Sequence, residues 1–346
     1  MDEALATEIA GLGQEAPFAL QIGVDNSTSN PPFRNSVKLQ SNYLYGDGLY
    51  VLDLNHYPSG CGVWPAFWTM TANASSSQEI DIIQSVNDLR EGPIIALHTD
   101  QQCQAGWIPG SMTGTFGEQM NCRQQNVNVS GCVGYYESLI HEPANIHGGT
   151  SEISARRSLS KKAQQGSTFG QTGRTVIVMQ RDIQNSNGIS AWAFNETGVP
   201  VNLNYTLSLA GNGNGQTNKS LAISTDNWPS PNVLFSLPQS SCKEQWERHF
   251  LVINIGLCGG WANTTYTSSG CAAQFDTCAD QVASQVASFD NAFFSINSIT
   301  VFASNNFNLN PVLLPGLPSG GERTLSTNQA HIFSILFAFI VLIILL

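Results

Sequence analysis

The sequence predicts an all-β domain, a sandwich or jelly roll, on three observations. Short runs rich in β-branched and aromatic residues recur from residue 17 to about residue 305. Clusters of Gly, Pro, Asn and Ser separate them, drawing on 31 glycines and 15 prolines, the residues that end strands and make turns. Only ADQVASQVASF (279–289) carries apolar residues at helical spacing, with Asp280 placed to cap it.

The elements follow in order. SVKLQ (36–40) and GLYVLDLNH (48–56) read as strands, and in WPAFWTM (64–70) a period of two puts Trp64, Ala66 and Trp68 on one face. QEIDIIQSV (78–86) turns Glu79 and Asp81 to one side and Ile80 and Ile82 to the other. In a regular strand Gln84 would then point away from the acids. One β-bulge after Asp81 inserts a residue and returns position 84 to the face of Glu79. IIALHT (94–99), RTVIVMQ (174–180), ISAWAF (189–194), HFLVINIGL (249–257) and FFSINSITVF (293–302) complete the strand set. The stretch 101–172 lacks sustained periodicity and reads as loop. Cys103, Cys122 and Cys132 fall within it, which predicts loops stapled to a scaffold.

The formal charge is -11, with 14 basic residues and no basic cluster beyond Arg156-Arg157 and Lys161-Lys162. That composition lacks the electrostatic basis for nucleic-acid binding. Eight cysteines form an even set with no CxxC spacing, so up to four disulfides and an oxidising compartment are expected, with the pairing left open. Seven N-x-S/T sequons, at Asn26, Asn73, Asn128, Asn195, Asn204, Asn218 and Asn263, agree with secretion. A chain so rich in Asn, Ser and Thr produces most of that number by chance.

The two ends point in different directions. HIFSILFAFIVLIILL (331–346) is an apolar run without a charged stop, preceded by Ser319, Gly320 and Gly321 and a polar spacer from Glu322 to Ala330. Small residues, polar spacer and hydrophobic tail are the signal for a glycosylphosphatidylinositol anchor, attached here at Ser319 or Gly320. The competing reading is a retained membrane helix, for which the run is short. MDEALATEIAGLGQEA at the other end has no apolar core and is not a signal peptide. A cytosolic tail-anchored protein would need none, but would leave eight cysteines in a reducing compartment. The expected organisation is therefore a non-native or truncated start (1–16) with incomplete N-terminal strands, one β domain (17–305), a stalk with the anchor site (306–330) and a hydrophobic tail (331–346).

Several landmarks occur together: FRNSV, GCGVWPAFW, EIDII with SVND, ALHT, STDNWP, the SC before a long strand, INIGLCGGWA, the close pair Cys271 and Cys278, and FDNAFFSINSITVF. From about residue 33 to 303 the chain thus resembles the fungal laminarinase-type members of glycoside hydrolase family 16, the endo-β-1,3(4)-glucanases. The resemblance implies a concanavalin-like β-jelly-roll of two curved antiparallel sheets with an open cleft. It also implies an E-x-D-x-x-E motif on a bulged strand, in which Glu79 matches the nucleophile and Asp81 its helper. Asp81 is expected to stay protonated and to hydrogen-bond Glu79. Gln84 stands where the family has its acid/base Glu, and the loop TMTANASSSQ lacks the Trp usual there. A carboxamide neither donates an acidic proton nor takes one from water.

The same resemblance marks Trp68 and Trp261 as sugar-stacking residues, with Trp64 beside Trp68 by alternation, and Arg34 and Asn35 as partners of sugar hydroxyls, unless they fix a turn after Pro31-Pro32; His98, on the strand after the motif, is expected in the cleft near Glu79. No cofactor and no catalytic metal are expected. The implied partner is β-glucan, met by a monomer held at the membrane by a lipid anchor or its tail. The implied place is the extracellular face of the plasma membrane or the cell wall. Two functions compete: a glucanase with an impaired acid/base, and a non-catalytic glucan-binding, wall-organising protein.

Overall fold

The computed structural model of the chain describes residues 10–12, 19–28, 33–73, 78–87, 92–106, 110–117, 119–124, 131–136, 173–185, 188–211, 223–238, 245–284, 289–303, 332–334 and 339–342, with a few shorter pieces between them. The stalk and the anchor residues Ser319 and Gly320 lie outside the described residues, as do residues 1–9 and 13–18.

Two antiparallel sheets face each other. The back sheet runs in the order β1 (Ala10–Leu12), β2 (Leu20–Gly23), β14 (Phe293–Ala303), β4 (Gly48–His56), β10 (Thr175–Asp182), β11 (Gly188–Asn195), β12 (Val233–Phe235), with β15 (Ile332–Ser334) also paired to β14. The front sheet runs β16 (Phe339–Leu342), β3 (Lys38–Tyr45), β13 (His249–Leu257), β5 (Val63–Thr71), β6 (Glu79–Gln84), β7 (Ile94–His98), β9 (Cys132–Tyr135), β8 (Thr115–Phe116). Alternation decides what lies between them: Leu39, Phe67, Ile80, Leu97, Leu251 and Ile253 from the front meet Tyr50, Leu52, Leu54, Ile177 and Met179 from the back in one core. Full burial of each such side chain contributes about 1.5–3 kcal/mol.

Three expectations change here. Residues 10–12, set outside the domain by the sequence reading, pair Ala10 with Ile22 and Leu12 with Leu20, and β2 continues onto β14. The N-terminal region therefore supplies sheet. Helix α1 (Val201–Gly211) was not foreseen: among its described side chains Leu203, Thr206 and Leu207 are buried at helical spacing, but the polar Thr206 interrupts the apolar stripe. It covers Val51, Val176, Val178 and Trp192 on the outer face of the back sheet. After α2 (Ser240–Lys243) and α3 (Gly259–Thr264), the predicted helix at 279–289 shrinks to α4 (Cys278–Val282). It is capped by Thr277, whose side chain accepts from the Asp280 amide, so Asp280 lies inside the helix rather than at its cap.

All eight cysteines pair, as Cys61–Cys271, Cys103–Cys242, Cys122–Cys132 and Cys258–Cys278. Two of the bridges tie 101–136 down, as the loop reading required. The other two clamp the segment 258–278 against the start of β5. In the hydrophobic tail, β15 and β16 are backbone-paired to β14 and β3. Among the described residues no helix is long and apolar enough to cross a membrane.

Candidate active site

Strand β6 has two adjacent isoleucines, and this forces its shape. Phe67 pairs with Ile83 but Trp68 pairs with Asp81, leaving Ile82 as the extra residue of a bulge. The same irregularity separates Asp81 opposite Ala96 from Gln84 opposite Ile94. Ile80, Ile82 and Ile83 are all fully buried in the core, which a regular strand could not achieve. The bulge puts Glu79 opposite Met70, Asp81 opposite Trp68 and Gln84 opposite Ala66, all on the outer face of the front sheet.

The polar groups there form a chain. Trp64 Nε1–H donates to Gln84 Oε1 at 2.9 Å, and Gln84 Nε2–H donates to Asp81 Oδ2 at 2.7 Å. His98 Nε2 lies 3.0 Å from the same Asp81 oxygen. Asp81, Gln84 and His98 are all buried, while Glu79 is partly so. Burial, then the charge and hydrogen bond of Asp81, push the Glu79 carboxyl well above the usual carboxylate range, with Lys38 pulling the other way.

The aromatic residues divide their work. Trp64 meets Trp261 edge-on, with ring centroids 5.9 Å apart, and spends its N–H on Gln84. Trp68 donates to Asn254 Oδ1 at 2.7 Å, and Lys38 Nζ stands 4.7 Å above its ring. One face of Trp68 is therefore capped by a cation. Trp261 is held by Asn87, which adopts a positive φ of 53° and donates to Ala262 O and Thr265 Oγ1 while accepting from the Gly62 amide. Lys38, Asn254 and Asn87 were not singled out from the sequence. Their signals were present in SVKLQ, INIG and SVND, but only the fold says what each touches.

Arg34 departs from its expected role. Its side chain is 2% exposed and donates to the carbonyls of Asp25, Val282 and Ser284, with its guanidinium 4.7 Å from the Phe289 ring centre. The donors expected to meet sugar hydroxyls are committed to backbone. Asn35 is partly buried beside it, and its carbonyl accepts from the Asp25 amide. His98 does lie next to the carboxylates, paired in register with Glu79. Glu79, Asp81 and His98 bring donor atoms within 4.8 Å of one another, as no other group of three such side chains does among the described residues. Asp81 Oδ2 already receives hydrogen bonds at that centre.

Comparison with known proteins now bears on this geometry. The model of the XgeA-like catalytic GH16 domain matches residues 2–302, which includes residues read from the sequence as lying outside the domain. The chain is 28% identical over 272 residues to a probable glycosidase of Schizosaccharomyces pombe, covering 78% of this chain and 54% of that protein. It is 28% identical over 298 residues to an endo-1,3(4)-β-glucanase of Emericella nidulans, covering 82% and 39%. A probable endo-1,3(4)-β-glucanase of Aspergillus fumigatus is 31% identical over 294 residues, with 81% and 37% covered. The chain thus spans about a third to a half of the length of these relatives. Among solved structures, laminarinase 16A of Phanerochaete chrysosporium with β-glucans in its donor and acceptor sites superposes with a TM-score of 0.64 at 25% identity, covering 86% of this chain and 88% of that one. An elongating GH16 β-1,3-glucosyltransferase gives 0.62 at 24%, covering 85% and 86%, and supports the fold. The bulged strand carrying Glu79 and Asp81 lies within the matched residues, and this chain belongs to the XgeA-like catalytic domains of glycoside hydrolase family 16.

Proposed function

We propose that this chain binds β-1,3(4)-glucan across the outer face of its front sheet and is a retaining-type glycosidase impaired at the acid/base position. The observation that carries this reading is the amide of Gln84, bonded at one end to Trp64 and at the other to Asp81. Retaining hydrolysis needs one carboxylate to attack the anomeric carbon and a second carboxyl to protonate the leaving oxygen and then activate water. Glu79 stands in the first role with Asp81 beside it. Gln84 stands in the second and has no acidic proton to give. Loss of a general acid slows the reaction by about 10²–10⁴. A sugar hydroxyl is a poor leaving group, which places the effect at the upper end.

The names of the relatives support glucan as the ligand, and Trp68 with its free face offers a platform for a pyranose ring. The four disulfides and the seven sequons favour the extracellular face of the plasma membrane or the cell wall, with the anchor near Ser319 and Gly320 as the tether. The test is Gln84→Glu, with reducing-sugar release from laminarin and lichenan as the readout and Glu79→Ala as the blank. A rise of about 10²-fold or more over the natural chain is expected. Equal rates for Gln84→Glu and Glu79→Ala would refute the reading of an otherwise intact site.

The second reading, a non-catalytic glucan-binding protein that organises the wall, is favoured by the same amide, because a buried Gln84 bonded at both ends is a stable resting arrangement. Calorimetry with laminarioligosaccharides separates the two from any reading without glucan. Both require binding by the natural chain, and only the first predicts residual turnover above the Glu79→Ala blank.

A further inference from the structure

We infer that the proton shared by Glu79 and Asp81 rests on Glu79, and that Gln84 and His98 keep it there by holding Asp81 as the carboxylate. This reverses the expectation that Asp81 holds the proton, and it deepens the reading above: the nucleophile position is masked as well as unassisted.

The argument starts from a group that can only donate. The indole N–H of Trp64 must give its hydrogen to Gln84 Oε1. The other end of the amide, which faces Asp81 Oδ2 at 2.7 Å, is therefore the NH₂, and Asp81 Oδ2 accepts. His98 leads to the same oxygen. Its Nδ1 is buried with no partner among the described residues, so a proton there would be a buried donor without an acceptor. With the proton on Nε2, only a lone pair goes unused, and Nε2–H donates to Asp81 Oδ2 at 3.0 Å. A methyl group at Gly131 would stand 2.9 Å from Nδ1, so the backbone of that residue walls off this side of the ring. Doubly protonated His98 meets the same objection. One oxygen of Asp81 thus receives two N–H groups, and hydrogen bonds to a carboxylate favour its ionised form.

Glu79 has less to hold a charge. The groups facing it are Asp81 on its own strand, His98 across on β7 and Lys38 from β3, while Trp68 and Met70 on β5 carry no charge. His98 is committed to Asp81, leaving Lys38 as the single cation that favours ionised Glu79. Against it stand burial and the negative Asp81, and the net effect is a Glu79 carboxyl that holds its proton far more tightly than usual. An acid in place of Gln84 would carry a titrating proton next to Asp81, whereas the amide presents a permanent N–H. In this chain the substitution therefore keeps an N–H donor on Asp81 Oδ2 that no change of pH removes.

The test uses infrared spectroscopy of the whole folded chain and needs no sugar, so it is independent of the glucan reading. A protonated-carboxyl C=O band is expected to persist above the pH range in which ordinary carboxyls ionise. Carboxyl-¹³C glutamate should shift it, carboxyl-¹³C aspartate should leave it in place, and Glu79→Gln should abolish it. A band that shifts only with labelled aspartate, or no band at all, overturns the assignment. As a test of His98, the titration midpoint of the band should fall by about one pH unit in His98→Phe and recover in His98→Gln, which can still donate. An unmoved midpoint in folded His98→Phe removes His98 from the proposal. If that variant does not fold, the isotope assignment alone decides.

Discussion

The indole nitrogen of Trp64 lies 2.9 Å from Gln84 Oε1, so a residue expected to stack a sugar sets which way round the amide at position 84 stands. Trp64→Phe keeps most of the contact with Trp261 but leaves Gln84 Oε1 without its donor. A loss of about 1–2 kcal/mol in unfolding free energy is expected by denaturant titration. In a Gln84→Glu background the same change should lower glucanase activity by about tenfold, because the new acid loses its orientation. Unchanged activity there would show that Trp64 does not position the residue at 84.

Arg34 should matter for stability and not for sugar. Arg34→Ala orphans the carbonyls of Asp25, Val282 and Ser284 and should destabilise the fold by about 3 kcal/mol. Arg34→Lys should recover less than half of that, since one ammonium cannot span three acceptors. Laminarioligosaccharide affinity of the folded variants should stay within about twofold of the natural chain. A selective loss of affinity at unchanged melting temperature would restore Arg34 to the binding site.

The Cys258–Cys278 bridge joins the end of β13 to α4, with the Trp261 helix between its ends. Replacing both cysteines by serine should cost about 2–4 kcal/mol. It should also weaken glucan binding, because Trp261 loses one of the constraints that hold it against Trp64. Breaking Cys122–Cys132 on the far side of the front sheet should lower stability without that effect on affinity, and melting curves paired with calorimetry distinguish the two.

Two buried groups give stability opposite responses to pH. His249 is fully buried, bonded through Nδ1 to Thr69 Oγ1, and burial together with Arg181 holds its pKa well below the ordinary value. The unfolded chain then takes up a proton that the folded chain refuses, so stability falls as pH drops below about 6.5. Glu79 works in reverse. Its folded pKa is raised, so the folded chain keeps a proton that the unfolded chain releases, and stability falls as pH climbs from about 4.3 to the raised value. Each slope is at most about 1.4 kcal/mol per pH unit. The stability of Glu79→Gln relative to the natural chain should therefore grow across that second window and then level off, as read from denaturation at a series of pH values. A difference that is flat with pH would contradict a protonated Glu79.

The facing of the side chains along β6 was largely legible. In EIDIIQ the acids alternate with isoleucine and a second isoleucine follows directly, a pattern that one bulge reconciles with a buried apolar face. The back-sheet helix was not legible, because one of its buried positions at helical spacing, Thr206, is polar and breaks the apolar stripe. For Arg34 the sequence left a sugar-binding and a turn-fixing role open, and its partners become visible only once the chain segments that bury it, here 25 and 282–284, are brought around it.

By itself the sequence determined the fold class, the family resemblance and the missing carboxyl at position 84, since each rests on local alternation or on the identity of one side chain. Tertiary structure decided the rest: which cysteines pair, that Lys38 caps Trp68, and that Trp64 bonds Gln84 while His98 bonds Asp81 from a different strand. Those facts depend on groups far apart in the chain meeting at hydrogen-bond distance in a buried place. There an unpaired donor costs enough free energy to dictate the direction of every bond around it.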